Sequence, residues 1–388
     1  MATKQITGSQ AQGPVAAASP KLPFIQGAHE HAEVVRTISY QPTRENNSKL
    51  ELIEIPSYGY LRSIMIEVTT ETRAERGEAG ETLEEDAPFS LIESVSLLET
   101  NSTPIVGPIE GYQLMWGNIL AGTAFRNDPR QGPYFSNRGL EPEFMVRIPL
   151  EITTNDGMGT LANQDSAATF KLAMTLAPGR KIWSAPPRVF PRFTVRVILE
   201  AYTVPNATDQ TGMPQEQAPP ALGSGQYWTF SRTEVLRGKN TIQYRRVGNY
   251  LSAIALFFRE REGRRSERVA LEEFELVWDS HQMWQALPKK YMRQMAAEKM
   301  NGVTLDTGVY ILPFNITTLS RIANGPLRML WPTVNSSRIE IKGSSEEIGT
   351  VEIATLDMAV VNVNPATRYV MENQTGYHAN PAGIVVEK

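Results

Sequence analysis

The chain of 388 residues carries 38 Lys and Arg against 42 Asp and Glu, contains no cysteine and is 41% hydrophobic. That length suits about two domains of ordinary size, with apolar residues enough for packed cores. A net charge of −4 gives no mandate for nucleic acid, whose binders present a basic face, and the lack of cysteine excludes disulfides, thiolate metal sites and a cysteine nucleophile.

Residues 1–33 are rich in Ala, Gly, Gln, Ser and Pro without periodicity and read as a flexible N-terminal arm. No apolar core of the signal-peptide kind lies between Met1 and Pro23. Within the arm, His29-Glu30-His31-Ala32-Glu33 has the look of a metal site, but in a loose segment it reads as solvated side chains. From Val34 the texture is that of a β protein. Leu50, Leu52 and Ile55 begin a strand pattern, and Tyr60 to Val68 alternates like a strand with one buried face. Glu71 to Ala87 holds seven acids and two arginines and reads as a solvated loop. A strand from Leu91, a turn at Glu99-Thr100 and a helix opened by Pro108 and stopped by Gly122 follow.

Phe125 to Arg138 has the Asn, Pro, Gly and Arg content of a loop. Strands are expected at Phe144–Ile152, Phe170–Leu176 and Phe193–Val204. Gly157-Met158-Gly159-Thr160-Leu161-Ala162 fits a dinucleotide fingerprint by letter, but the polar Asn163–Thr169 offers no following helix, so it reads as a glycine turn. Val204 to Gln226 is Pro-rich and patternless, the mark of a join. Beyond it, Tyr250 to Phe258 is the most apolar run, nine residues against the roughly 20 a membrane span needs, so a soluble chain is expected. Arg259 to Arg268, with five arginines and three glutamates, reads as a charged hairpin tip around Gly263. Leu271 to Trp278 is a strand, Asp279-Ser280 a turn holding His281 before a helix, and Pro288 opens that helix, which runs to Met300. The helix carries Lys289, Lys290, Arg293 and Lys299 against Glu298, a basic side open to nucleic acid, an anionic membrane, an acidic neighbour or plain solvent. Strands are expected again at Val309–Phe314, Arg338–Lys342 and Val351–Val363.

The second part repeats the first. At an offset of 180, Leu271, Val277, Asp279, Ser280, Pro288, Met295, Met300 and Gly302 fall on Leu91, Leu97, Glu99, Thr100, Pro108, Met115, Leu120 and Gly122. Tyr250-Leu251-Ser252-Ala253-Ile254 matches Tyr60-Leu61-Arg62-Ser63-Ile64 at 190, and Pro313 matches Pro149 at 164. We read two copies of one fold: an N-terminal arm (1–33), a first unit (34–204), a linker (205–226), a second unit (227–363) and a C-terminal arm (364–388, with His378). Each unit has about eight short strands and one helix, which suits an all-β pair of tandem eight-stranded jelly rolls, each with a short inserted helix, better than a parallel α/β sheet.

Two such units in tandem, a mobile arm and no cysteine resemble the double jelly-roll major capsid proteins of tailless icosahedral, tectivirus-like bacteriophages. The resemblance is carried by Ser48 to Val68 and by Met283 to Phe314, where a basic, methionine-rich helix leads into Gly308-Val309-Tyr310-Ile311-Leu312-Pro313. It implies a structural protein of the virion, made in the host cytoplasm, not an enzyme, with no catalytic, cofactor or metal residues. Three copies would form a pseudo-hexagonal capsomer of an icosahedral shell by self-assembly. Partners would be neighbouring capsomers, penton and minor capsid proteins, and an internal lipid membrane or the packaged genome. Rival readings are a tandem jelly-roll carbohydrate-binding or glycan-hydrolysing protein, in which an acid pair would lie in a cleft, and a receptor-binding spike.

Overall fold

The computed structural model describes residues 21–77, 80–123, 128–152, 156–219, 225–244, 249–279, 281–300, 302–314, 331–333 and 338–359. The expected C-terminal arm, residues 1–20 of the N-terminal arm and His378 lie outside these. Among the described residues no helix is long and apolar enough to cross a membrane.

Eight principal strands build the first half: β1 (Glu30–Tyr40), β2 (Ser48–Lys49), β3 (Tyr60–Thr72), β4 (Ile92–Leu98), β5 (Pro104–Ile109), β6 (Glu141–Pro149), β7 (Lys171–Leu176) and β8 (Arg192–Tyr202). Helix α1 (Gly111–Ala121) stands between β5 and β6. Eight more build the second: β9 (Gly225–Val235), β10 (Gly238–Tyr244), β11 (Tyr250–Arg259), β12 (Glu273–Trp278), β13 (His281–Pro288), β14 (Val309–Pro313), β15 (Ile339–Ser345) and β16 (Gly349–Ala359), with α2 (Lys289–Lys299) between β13 and β14. The sheet orders coincide. The first half pairs β1-β8-β3-β6 and β2-β7-β4-β5; the second pairs β9-β16-β11-β14 and β10-β15-β12-β13. Strand n of one half is strand n+8 of the other, in two packed antiparallel sheets each. This is a duplicated jelly roll.

The sequence offsets are structural registers. Ser63 faces Pro149 across β3 and β6, and Ala253 faces Pro313 across β11 and β14, so the 190 and 164 matches meet on one rung. The β3–β8 ladder slips between Glu200 and Ala201, leaving Arg62 extra; the β11–β16 ladder slips between Leu356 and Asp357, leaving Ser252 extra. The same β-bulge thus recurs in both halves, and it holds the side chains beyond it in register with the core.

Several expectations need correction. Pro108 lies inside β5 and does not open a helix; α1 begins at Gly111, where Glu110 and Gln113 form a reciprocal capping box. Pro288 is the N-cap of α2, one residue before its first turn. The gap between Ser280 and Pro288 is strand β13, and His281 opens it rather than lying in a turn. Both helices end as expected, at Gly122 (φ +62°) and Gly302 (φ +80°), left-handed positions that suit glycine. The described end of the N-terminal arm is docked: Phe24 is buried against Tyr60 and Tyr202, and Glu30 to Glu33 already belong to β1. Gly157 and Gly159 make the expected glycine turn, with Leu161–Ala162 then adding to β3 rather than starting a helix.

One core fills the first half and continues across to residues of the second, such as Trp228, Phe257 and Met300, and another fills the interior of the second half. In β11, Leu251, Ile254, Leu256 and Phe258 point into the second core, while Ala253, Ala255 and Phe257 join the first. A sheet with both faces covered needs a near-continuous apolar strand, which is why Tyr250 to Phe258 is the most apolar run in the chain.

Candidate functional site: the seam and the exposed faces

The seam between the halves has three parts. The first is a strand pair. β5, an edge of the first half, runs parallel to β9 with Val106 opposite Trp228, so one ten-stranded sheet crosses from half to half. The second is a helix. All of α1 is buried; a Cβ added at Gly117 would stand 3.4 Å from the Trp228 indole, and Tyr112 meets Phe257 edge-on with centroids 5.9 Å apart. Asn118 ties the helix to β6, donating to the Arg147 carbonyl (2.6 Å) and accepting from its amide (2.7 Å). On the far side, Ala253, Ala255, Phe257, Val309, Ile311, Ala354 and Leu356 give an apolar floor. At about 25 cal/mol per Å² of apolar surface, such burial is the main attraction between the halves.

The third part is a chain of buried and half-buried charges. Arg130 pairs with Asp128 (2.8 Å) and reaches across to Asp306 (2.8 Å), which also accepts from the Tyr112 hydroxyl (2.8 Å) and lies 3.3 Å from Arg265. Arg265 sits over the Tyr112 ring and pairs with Asp86 (3.0 Å). Asp86 in turn meets Arg259 (2.7 Å), and Arg259 meets Glu352 (2.8 Å), which accepts from Gln113 (3.1 Å). Burial pushes the Asp86 carboxyl above its usual range, with Arg259 and Arg265 opposing that rise. Burial, then the Glu352 charge, also raises Glu110. Burial works to lower the Arg259 guanidinium, but Asp86 and Glu352 outweigh it and hold the group firmly charged. Removing one partner of such a set leaves a stranded charge. A cleft of about 710 Å³ continues the chain of charges to the surface, lined among others by Glu84, Glu110, Arg180 and Glu260.

Two sequence readings change here. The Glu71–Ala87 acidic run does not end as a solvated loop: Glu85 and Asp86 clamp Arg265. The Arg259–Arg268 segment is the expected hairpin tip, with Gly263 at φ +90°, yet its Arg259 is 5% exposed and serves the seam. The basic side of α2 is also largely engaged. Lys289 meets Glu272, Arg293 meets Glu267, and Lys299 donates to the Pro313 carbonyl (2.9 Å). His31 stacks on Tyr58 (3.8 Å) with Glu33 3.5 Å away, and among the described residues no cluster of His, Asp and Glu is arranged to hold a metal. Asp86, Asp306, Glu352 and Arg130 were invisible to sequence reasoning, because the contacts that make the seam, Arg259 with Asp86 and Arg130 with Asp306, join residues more than a hundred positions apart.

The first sheet has the same outer face as the second. Register places Ser63, Met65 and Glu67 at the positions of Ala253, Ala255 and Phe257; Met145 and Arg147 at those of Val309 and Ile311; Arg196, Ile198 and Glu200 at those of Glu352, Ala354 and Leu356. Here no part of the described chain covers it in the way α1 covers the other. Arg147 makes a two-pronged pair with Glu200 (2.8 and 3.0 Å), and Arg196 pairs with Glu67 (2.8 Å). Burial would raise the Glu200 carboxyl, but the Arg147 bonds outweigh it and hold it below the usual range.

No family model matches the sequence, and no curated protein matches it. Solved structures do. In the atomic structure of Sulfolobus Turreted Icosahedral Virus, a chain 14% identical is matched over 89% of this chain and 97% of its own, with a TM-score of 0.63. The major capsid protein P2 from Bacteriophage PM2 is matched at 11% identity over 87% and 99%, TM-score 0.54. The PBCV-1 virus capsid is matched at 12% identity over 85% and 94%, TM-score 0.59. The fold is the double jelly roll. That fold spans nearly the full length of these capsid chains, so the double jelly roll here lacks neither unit. At identities this low the likeness speaks for the fold alone, and the expectation from Ser48–Val68 and Met283–Phe314 is met at that level.

Proposed function

We propose that this double jelly roll is the major capsid protein of an icosahedral virion and that three copies form a pseudo-hexagonal capsomer. The observation that carries the reading is the duplication: equal sheet orders, a shared bulge and matching outer faces let a threefold assembly present six similar units. The likeness to capsid proteins of three viruses over most of the chain supports it. The reading assigns no catalytic residue; the seam acids Asp86 and Asp306 are each paired with an arginine of the opposite half. The two units are those expected at 34–204 and 227–363, with β1 opening the first at Glu30 and β9 the second at Gly225, and the parts of the expected arms outside them serve as links to neighbouring capsomers, an internal membrane or the genome. The virion is its place, after synthesis in the host cytoplasm. Electron microscopy of particles from the native source tests it: hexagonal capsomers holding three copies of this chain are expected, and particles that lack the chain from their facets overturn it.

A further inference from the structure

The Pro-rich join between the two units is folded over the part described, and it is fastened to the N-terminal segment. A free tether has no bonded backbone. Here the Asp209 carboxylate accepts from the Thr211 and Met213 amides (2.9 and 2.8 Å), the Asp209 amide donates to the Met213 carbonyl (2.9 Å), and the Gln215 amide donates to the Ala207 carbonyl (2.9 Å). Residues 207–215 are thus a small hairpin. Its returning limb pairs with Leu22, whose amide donates to the Pro214 carbonyl (2.9 Å) and whose carbonyl accepts from the Glu216 amide (3.0 Å). Phe24, 1% exposed, stands edge-on to Tyr60 and Tyr202 with centroids 5.2 and 6.0 Å away, and Ala218 of the join packs on the same cluster. Gly27 leaves room for the buried Gln215: a Cβ there would stand 1.4 Å from the carboxamide. His29 and Thr203 then exchange two bonds of 2.9 Å, where the way into the first jelly roll meets the way out.

We infer that residues 21–28 are a releasable strap whose docking holds the join in its hairpin, so that the N-terminal arm and the connection between the two jelly rolls are coupled. The strap is short, and its one helix, Phe24–Gly27, has four residues and no side-chain cap. Such a turn has no stability of its own. Its hold comes from one buried aromatic side chain and the two backbone bonds at Leu22. The hairpin is equally dependent. From Asn206 to Pro214 every residue but the half-buried Asp209 is exposed, and Gln215, which is buried, sits against the strap. A segment with so few buried contacts of its own is held by what it touches. The two elements therefore dock together and leave together. Release lengthens the N-terminal arm by the eight residues of the strap, a reach of up to about 28 Å, and frees the join at the same moment. The coupling is reciprocal: whatever draws the arm away loosens the join, and whatever stretches the join loosens the arm. The strap belongs to the single chain, so it is independent of whether three copies assemble.

Hydrogen exchange of the full-length protein, read by mass spectrometry on peptides covering 22–28, 207–216 and β8, tests the coupling. Phe24→Ala removes the anchor of the strap. The 207–216 peptide, which does not contain the substitution, should then exchange at least about tenfold faster, in step with 22–28, while β8 stays as protected as before. Asp209→Ala, which unmakes the turn of the hairpin, should speed 22–28 in return. Gly27→Ala should act like Phe24→Ala, because its methyl group meets the Gln215 carboxamide, and Gly27→Ala combined with Gln215→Ala should restore slow exchange in both peptides. Fast exchange of 22–28 beside an unchanged 207–216 in Phe24→Ala means two independent elements and overturns the inference. Fast exchange of both peptides in the unsubstituted protein overturns it too, since the strap is then not docked. Should Phe24→Ala also expose β8, Asp209→Ala at the hairpin tip decides alone: unchanged exchange of 22–28 there contradicts the coupling.

Discussion

One sheet face occurs twice in this molecule, with two different compositions. In the second half it is Ala253, Ala255, Phe257, Ile311, Ala354 and Leu356, covered for good by α1 of the same chain. In the first half the equivalent positions hold Ser63, Met65, Glu67, Arg147, Ile198 and Glu200, with the charges already paired among themselves. The helices differ in the same sense: α1 is buried along its whole length, whereas among the residues of α2 only Met292 and Ala296 are buried. The backbone geometry is shared, so the difference lies in what covers each face within the chain. A face sealed within its own chain can be wholly apolar. A face left open to water must be soluble alone, and paired half-buried charges give that at small energetic cost.

The largest expected effect comes from moving one residue type between the faces. Leu356→Glu puts the carboxylate of Glu200 into the sealed seam, where Ile311 stands in place of Arg147. It should cost more than about 5 kcal/mol and leave little folded protein. Adding Ile311→Arg restores the pair and should recover part of the loss, whereas Glu200→Leu in the wet face costs about 1 kcal/mol. Denaturant midpoints of the three variants check this. Next, Trp228→Ala should cost about 4 kcal/mol by opening a cavity at the seam, while Val34→Ala, at the wet face, changes the single chain's stability by less than about 0.5 kcal/mol. Arg259→Met takes the only arginine partner described for Glu352 and one of the two described for Asp86, and should cost about 3 kcal/mol, as thermal unfolding would read.

Smaller effects sharpen the comparison of the helices. Gly122→Ala and Gly302→Ala each force a side chain into left-handed backbone and should cost about 1 kcal/mol apiece. A cost at only one position would mean that the two helix ends are not equivalent. Glu110→Gln is the smallest. Its carboxyl is raised in the folded chain, so the ionised form is penalised above the folded pKa, and the penalty disappears as pH falls through that value. The glutamine variant should therefore be the more stable at neutral pH, and its advantage should shrink towards about pH 4. An advantage independent of pH contradicts the burial argument.

The duplication was legible in the sequence because ladder registers had to be kept: Tyr60 with Tyr250, Pro149 with Pro313 and Gly122 with Gly302 are equivalent in space as in sequence. The seam was half legible, since the unbroken apolar run Tyr250–Phe258 signals a strand covered on both faces. β13 was not, because its inward alternation is broken by two register shifts against β12 and, among the described residues, no strand pairs with its outer edge. Pro108 misled because a proline at a strand edge looks like one that opens a helix, while the cap that starts α1 is Glu110 with Gln113. The ionic chain was illegible for a simpler reason: nothing local marks Asp86 as the partner of Arg259.

The mass of the purified full-length chain in solution, followed by sedimentation over a range of concentration and salt, bears most directly on the claim that two jelly rolls here do the work of a pair of hexagon corners. The account predicts a species of three times the 43.2 kDa chain mass that persists on dilution. A single 43.2 kDa species under every condition would contradict it.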